Sequence, residues 1–120
     1  MIYLDIKHLD NEIHRQITGV SNSPIIKNLH WLKQQEKAFV IRVPLIPGIN
    51  DSIIHLEQIA ESLKSAKHLE CVEFMPYNPF TRSKYDMVGM KFELKIDGYN
   101  YQPIIPTDAY NKRGIHYKLL

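Results

Sequence analysis

Apolar and polar residues alternate cleanly over the first ten positions, Met1-Ile-Tyr-Leu-Asp-Ile-Lys-His-Leu-Asp10. A period of two marks a strand with one covered face, so Ile2, Leu4 and Ile6 are expected to point one way and Tyr3, Asp5 and Lys7 the other. Residues 11–17 then read as a short helix stopped by Gly19. Ser23-Pro24 predicts the next helix start, with the hydroxyl as cap and proline at the first helical position. Ile25, Leu29 and Leu32 recur at helical spacing as far as Glu36, with Trp31 beside the stripe. Residues 38–43 form an apolar run interrupted only by Arg42, the pattern of a parallel strand covered on both faces. Pro44 and Pro47-Gly48 are expected to end it. Asp51 or Asn50 caps a second long helix reaching about Lys67, with Ile53, Leu56, Ala60 and Leu63 turned inward. A third strand spans about 70–76, and a proline-marked loop leaves it, running from Tyr77 to about Asp86.

Strand–helix–strand–helix–strand with short connections predicts parallel strands joined by right-handed crossovers. Beyond residue 90 the pattern weakens. Residues 91–96 alternate like a strand, Asp97-Gly98 marks a turn, 99–105 is its candidate partner and 115–119 a candidate final strand. The expected fold class is α/β, with about three parallel strands, crossover helices and an irregular or hairpin C-terminal segment.

Composition narrows the function classes. A chain of 120 residues with 44% hydrophobic content has the size of one domain and enough apolar material for a core. Its 15 basic and 13 acidic residues are interspersed, for a net charge of +2, so charge gives no support to a nucleic-acid or membrane-surface partner. No apolar run approaches the ~20 residues of a membrane span and no secretory leader is evident, so a cytoplasmic protein is expected. The lone Cys71 excludes a disulfide framework, a four-cysteine zinc site and an all-cysteine iron–sulfur cluster held by this chain alone. The six histidines (8, 14, 30, 55, 68 and 116) show no ligand spacing, and most are expected to be solvated surface groups. Tyr99, Tyr101, Tyr110 and Tyr117 admit a binding face, or the cover of a sheet edge or helix.

In parallel α/β architectures, sites gather at the C-terminal ends of the strands. Asp5, Lys7, Arg42, Tyr77 and Asn78 converge on that edge. A carboxylate, an ammonium and a guanidinium together suit a zwitterionic ligand. A plainer account stays open: Asp5 and Lys7 as an exposed same-face ion pair worth under ~1 kcal/mol, and Arg42 as a partner of Glu73 or Asp5. Glu73 is expected to support its neighbours.

Four segments at these strand ends carry a resemblance. Leu4-Asp-Ile-Lys-His-Leu-Asp10, Gln16-Ile-Thr-Gly-Val-Ser21, Ile41-Arg-Val-Pro-Leu-Ile-Pro-Gly-Ile-Asn-Asp51 and Val72-Glu-Phe-Met-Pro-Tyr-Asn-Pro79, followed by Lys84-Tyr85, are similar to the second half of the glycyl-radical-enzyme activating enzymes. These belong to the radical S-adenosylmethionine family, and the pyruvate formate-lyase activating enzyme is their best-known member. The resemblance spans about residues 2–96, and D-x-K together with R-x-P-x-x-P-G-x-N-D makes it specific. It implies a partial (βα)6 barrel of which this chain supplies roughly the last three strands, residues 1–90, with 91–120 a tail or strand segment covering the sheet. It implies that Asp5 and Lys7 help hold S-adenosylmethionine, that Arg42 lies near the same ligand, and that Asn78 stands where the family usually presents a histidine to the adenosine side. The family's [4Fe-4S] cluster is held by a C-x-x-x-C-x-x-C loop, and its 5′-deoxyadenosyl radical removes a hydrogen from a glycine of the partner glycyl-radical enzyme. This chain lacks that loop. The resemblance therefore implies a fragment carrying part of the S-adenosylmethionine site and unable to react alone. A non-catalytic assembly module for a glycyl-radical enzyme or a cluster-bearing chain is the alternative. A sheet short of its barrel partners also predicts a homodimer, or a tail folded over the gap.

Overall fold

The computed structural model describes residues 1–76 and 102–120. Its order is β1 (Ile2–Asp5), α1 (Asn11–Thr18), α2 (Ser23–Gln34), β2 (Phe39–Leu45), α3 (Ile53–Ser62), β3 (Leu69–Pro76), α4 (Thr107–Asn111) and β4 (Tyr117–Leu119). The four strands form one sheet in the order β1-β2-β3-β4, and every neighbouring pair is parallel. Three of the strands are those that the apolar patterning predicts, and the fourth is the candidate final strand, trimmed to three residues. The expected strand over 91–96 and its turn lie outside the described residues, and 102–106 are not in a strand.

Helices α2, α3 and α4 supply one side of the core. Leu29 and Leu32, then Leu56, Ile59 and Ala60, and finally Ala109 and Tyr110 pack on Leu4, Phe39, Ile41, Val43, Leu45, Val72 and Phe74. The inward stripe of α3 differs from expectation at its start, where Ile53 is 47% exposed, and it gains His55 and Ile59, both buried. Ile53 is the first residue of the helix, directly after its Ser52 cap.

Helix ends show how side chains are shared out. Asp10 caps α1 through its bond from the Ile13 amide, and Gly19 closes it at φ 80, a left-handed conformation that glycine adopts without a Cβ penalty. At α2 the cap is Asn22 rather than Ser23, and at α3 it is Ser52 rather than Asp51 or Asn50. Asp51 instead accepts from the Gly48 amide, and Asn50 is buried in the loop before the helix. α3 stops at Ser62, five residues short of the expected Lys67.

Pro44 lies inside β2 rather than ending it. The carbonyl of Arg42 accepts from the Ile6 amide, so Arg42 turns its backbone toward β1. Pro44, two residues on, turns the same way. β1 has ended at Asp5, opposite Arg42, so the missing N–H of Pro44 faces no strand and costs no ladder bond. Among the described residues, no helix is long and apolar enough to cross a membrane.

Candidate functional site

Parallel register sets residues of neighbouring strands side by side on one face of the sheet. Asp5 pairs with Arg42, Arg42 with Glu73, and Glu73 with Lys118. These four therefore form a row across all the strands, on the face opposite the core, with charges alternating in sign at strand spacings of about 4.8 Å. Arg42 Nε lies 3.5 Å from Glu73 Oε1, and the two side chains are 40% and 16% exposed. The guanidinium carbon sits 4.2 Å from the centre of the Tyr3 ring. Both contacts are partly solvated and worth about 1 kcal/mol or less each, so their effect is to aim the guanidinium more than to stabilise the fold.

Of the two plain accounts, Arg42 follows one: it pairs with Glu73, which is the supporting role expected of that glutamate. Asp5 and Lys7 do not follow the other. Among the described residues, neither the Asp5 carboxylate nor the Lys7 ammonium has a hydrogen-bond or ion-pair partner. Both border a cavity of about 230 Å³ lined also by His14, Thr18, Val20 and Ser21. Three of the residues singled out by sequence, Asp5, Lys7 and Arg42, thus lie around the end of β1 and the adjoining row. Tyr77 and Asn78 lie outside the described residues.

The histidines are where sequence reasoning failed. His8, His14 and His55 are buried, at 8%, 5% and 3% exposure, so three of the six are interior groups rather than solvated ones. His14 Nδ1 lies 2.9 Å from the Val20 carbonyl, and Thr18 donates to the same carbonyl. His8 and His55 stack with ring centres 4.0 Å apart. Burial, and for His8 also the neighbouring His55, pushes both pKa values below the ordinary 6.5, His8 to about 4.

A mixed-charge ligand such as S-adenosylmethionine, with its amino-acid zwitterion and sulfonium, fits the donor set of Asp5, Lys7 and Arg42. A [4Fe-4S] cluster does not fit the residues present. The chain has one cysteine, Cys71, buried in β3 with burial pushing its thiol pKa up. Among the described residues, no three His, Cys, Asp or Glu side chains are grouped to hold a metal ion.

No family model matches the chain. The (2S)-3-sulfopropanediol dehydratase activating enzyme of Klebsiella oxytoca is 30% identical over 123 residues, covering 97% of this chain and 39% of that protein. The pyruvate formate-lyase-activating enzyme of Staphylococcus epidermidis is 32% identical, covering 98% and 44% respectively. The indoleacetate decarboxylase activating enzyme of Tractidigestivibacter scatoligenes is 35% identical, covering 89% and 32%. A solved domain of a pyruvate-formate lyase-activating enzyme from Bacteroides vulgatus has the same fold, with a TM-score of 0.71 at 22% identity over 98% of this chain and 65% of that one. The chain spans between 32% and 44% of the length of these curated relatives. In sequence over nearly all its residues, and in fold, the chain corresponds to a part of the glycyl-radical-enzyme activating enzymes.

Proposed function

We propose that this chain supplies part of the S-adenosylmethionine site of an activating enzyme that installs a glycyl radical on a partner enzyme. Asp5, Lys7, Arg42 and Asn78 are its contacts to that ligand. The observation that carries the reading is the row of alternating charge, in which Tyr3 and Glu73 hold Arg42 in place beside an Asp5 that has no partner among the described residues. The Arg42 guanidinium offers a planar fork to a carboxylate, and the Asp5 carboxylate accepts from an ammonium or a hydroxyl. Lys7 adds a cation beyond the strand end. S-adenosylmethionine supplies the radical precursor in enzymes of this kind, and a cluster held by three thiolates supplies the electron. With one cysteine, the chain is expected to hold no such cluster and to transfer no radical by itself.

Equilibrium dialysis of labelled S-adenosylmethionine against the purified chain tests the reading. Saturable binding is expected, weakened roughly tenfold or more in D5N and in R42M, which keeps the aliphatic stem and loses the charge-assisted bond. Absence of saturable binding overturns the reading, and equal binding by both variants overturns these residue roles. Anaerobic reconstitution with iron and sulfide is expected to leave far less than one cluster per chain, and a stoichiometric cluster would contradict the proposal.

A further inference from the structure

Where the chain leaves β1 it meets a set of buried polar side chains that the ligand contacts do not use. Asn50, fully buried, donates through Nδ2 to the Lys7 carbonyl at 2.8 Å and the Pro44 carbonyl at 2.6 Å, and its Oδ1 accepts from the Ile46 amide at 2.8 Å. His55 Nδ1 lies 2.6 Å from the Asn50 carbonyl. A carbonyl only accepts, so Nδ1 carries the proton and Nε2 is left bare, and Nε2 accepts from the Leu9 amide at 3.1 Å. Asn22 Nδ2 donates to the Leu9 carbonyl at 2.8 Å. His8, stacked on His55, accepts from the Asp10 amide through Nδ1 at 2.9 Å. Loops are ordinarily held by their own turns and by water. This one is tied at Lys7 and Leu9 by side chains from the β2–α3 connection and from the start of α3.

We propose that Asn50 and His55 form a clamp that positions the Asp5–Lys7 segment for its ligand, making both of them positioning residues for the site at the end of β1. This rests on the S-adenosylmethionine reading above. The clamp has a defined polarity. Asn50 works as a double donor to the carbonyls of Lys7 and Pro44, and His55 as an acceptor for the part-buried Leu9 amide. Lys7 is anchored through its backbone, and among the described residues nothing engages its ammonium. Asp5 lies two residues before that anchor, in register with Arg42, so slack in the loop would reach Lys7 first and Asp5 after it.

His55 allows a sharp test, because glutamine and asparagine each reproduce one ring nitrogen. H55Q places an acceptor near the Nε2 position and keeps the bond from Leu9. H55N reaches only the Nδ1 position and loses it, as does H55L. Labelled S-adenosylmethionine binding is measured on all three, together with Leu9 amide exchange followed by NMR. H55Q is expected to bind within about threefold of wild type, and H55N and H55L roughly tenfold more weakly, the worth of one buried hydrogen bond. Leu9 exchange is expected to quicken only in the latter two. If H55L does not fold, the Gln and Asn variants decide alone. Wild-type binding matched by H55N, with Leu9 exchanging freely, overturns the clamp and leaves the ligand reading standing. Failure of the wild type to bind overturns the ligand reading and the positioning role with it, even where Leu9 remains protected.

Discussion

His8 carries a pH dependence whose sign follows from its surroundings. Burial, and then the charge of a protonated His55, lower its pKa from 6.5 to about 4. His14 acts in the same direction and Asp10 in the opposite one. The unfolded chain therefore binds this proton more tightly than the folded one, and stability is full above about pH 6.5 and falls as pH drops toward 4. Glu61, hydrogen-bonded to Lys64 and Arg113, has its pKa held down to about 2 and does not titrate there. Urea midpoints measured from pH 7.5 to 4 are expected to fall in the wild type and to fall less in H8N, whose side-chain oxygen can still accept from Asp10; parallel profiles would count against it. Asp5, Lys7 and Arg42 were legible because alternation and strand ends expose polar residues of a fixed face. His8 and His55 were not, since their roles depend on the loop after β1 meeting the start of α3, 46 residues on, which no local pattern encodes.

Elements were legible where one face is buried and one is not. β1, α1 and the start of β3 follow the apolar period closely, and β2 differs only because Pro44 falls beyond the end of its neighbour. The last described segment was the weakest reading, for its strand is three residues long and its helix five. What holds it is tertiary. Tyr110 is fully buried, its hydroxyl donates to the Leu56 carbonyl at 2.7 Å, and its ring meets Phe74 edge-on at 5.6 Å. Arg113 bonds the Ala109 carbonyl and Glu61, tying α4 to α3 from outside. Y110F keeps the ring and is expected to cost about 1 kcal/mol in urea unfolding, the net worth of one hydrogen bond. Y110A also leaves a cavity under the helix and is expected to cost about 3–5 kcal/mol. Similar losses for the two would mean that the ring contributes little, and that the segment docks through Arg113 instead.

At the scale of the whole molecule, the sheet has a helix-covered face and a charged one, with β1 and β4 at its edges. β4 is short and ends the sheet among exposed residues, whereas β1 is followed by the proposed ligand contacts. Parallel pairing engages alternate residues, and Ile6 donates to Arg42, so Tyr3 and Asp5 turn their backbone groups away from β2. Among the described residues no strand pairs with this edge, and an edge of this kind is a template for another strand, with Tyr3 beside it 50% exposed. Self-association through this edge is therefore predicted, visible in sedimentation velocity as a dimer that grows with protein concentration. Y3P separates edge pairing from collapse of the sheet. Proline at this position removes an N–H that β2 does not use, and it keeps the extended φ that β1 requires. The variant is expected to keep its far-ultraviolet spectrum and to sediment as a monomer across the same concentrations. A wild-type chain that is monomeric throughout would show that the edge is covered from within the chain, and a Y3P dimer would move the contact to another surface.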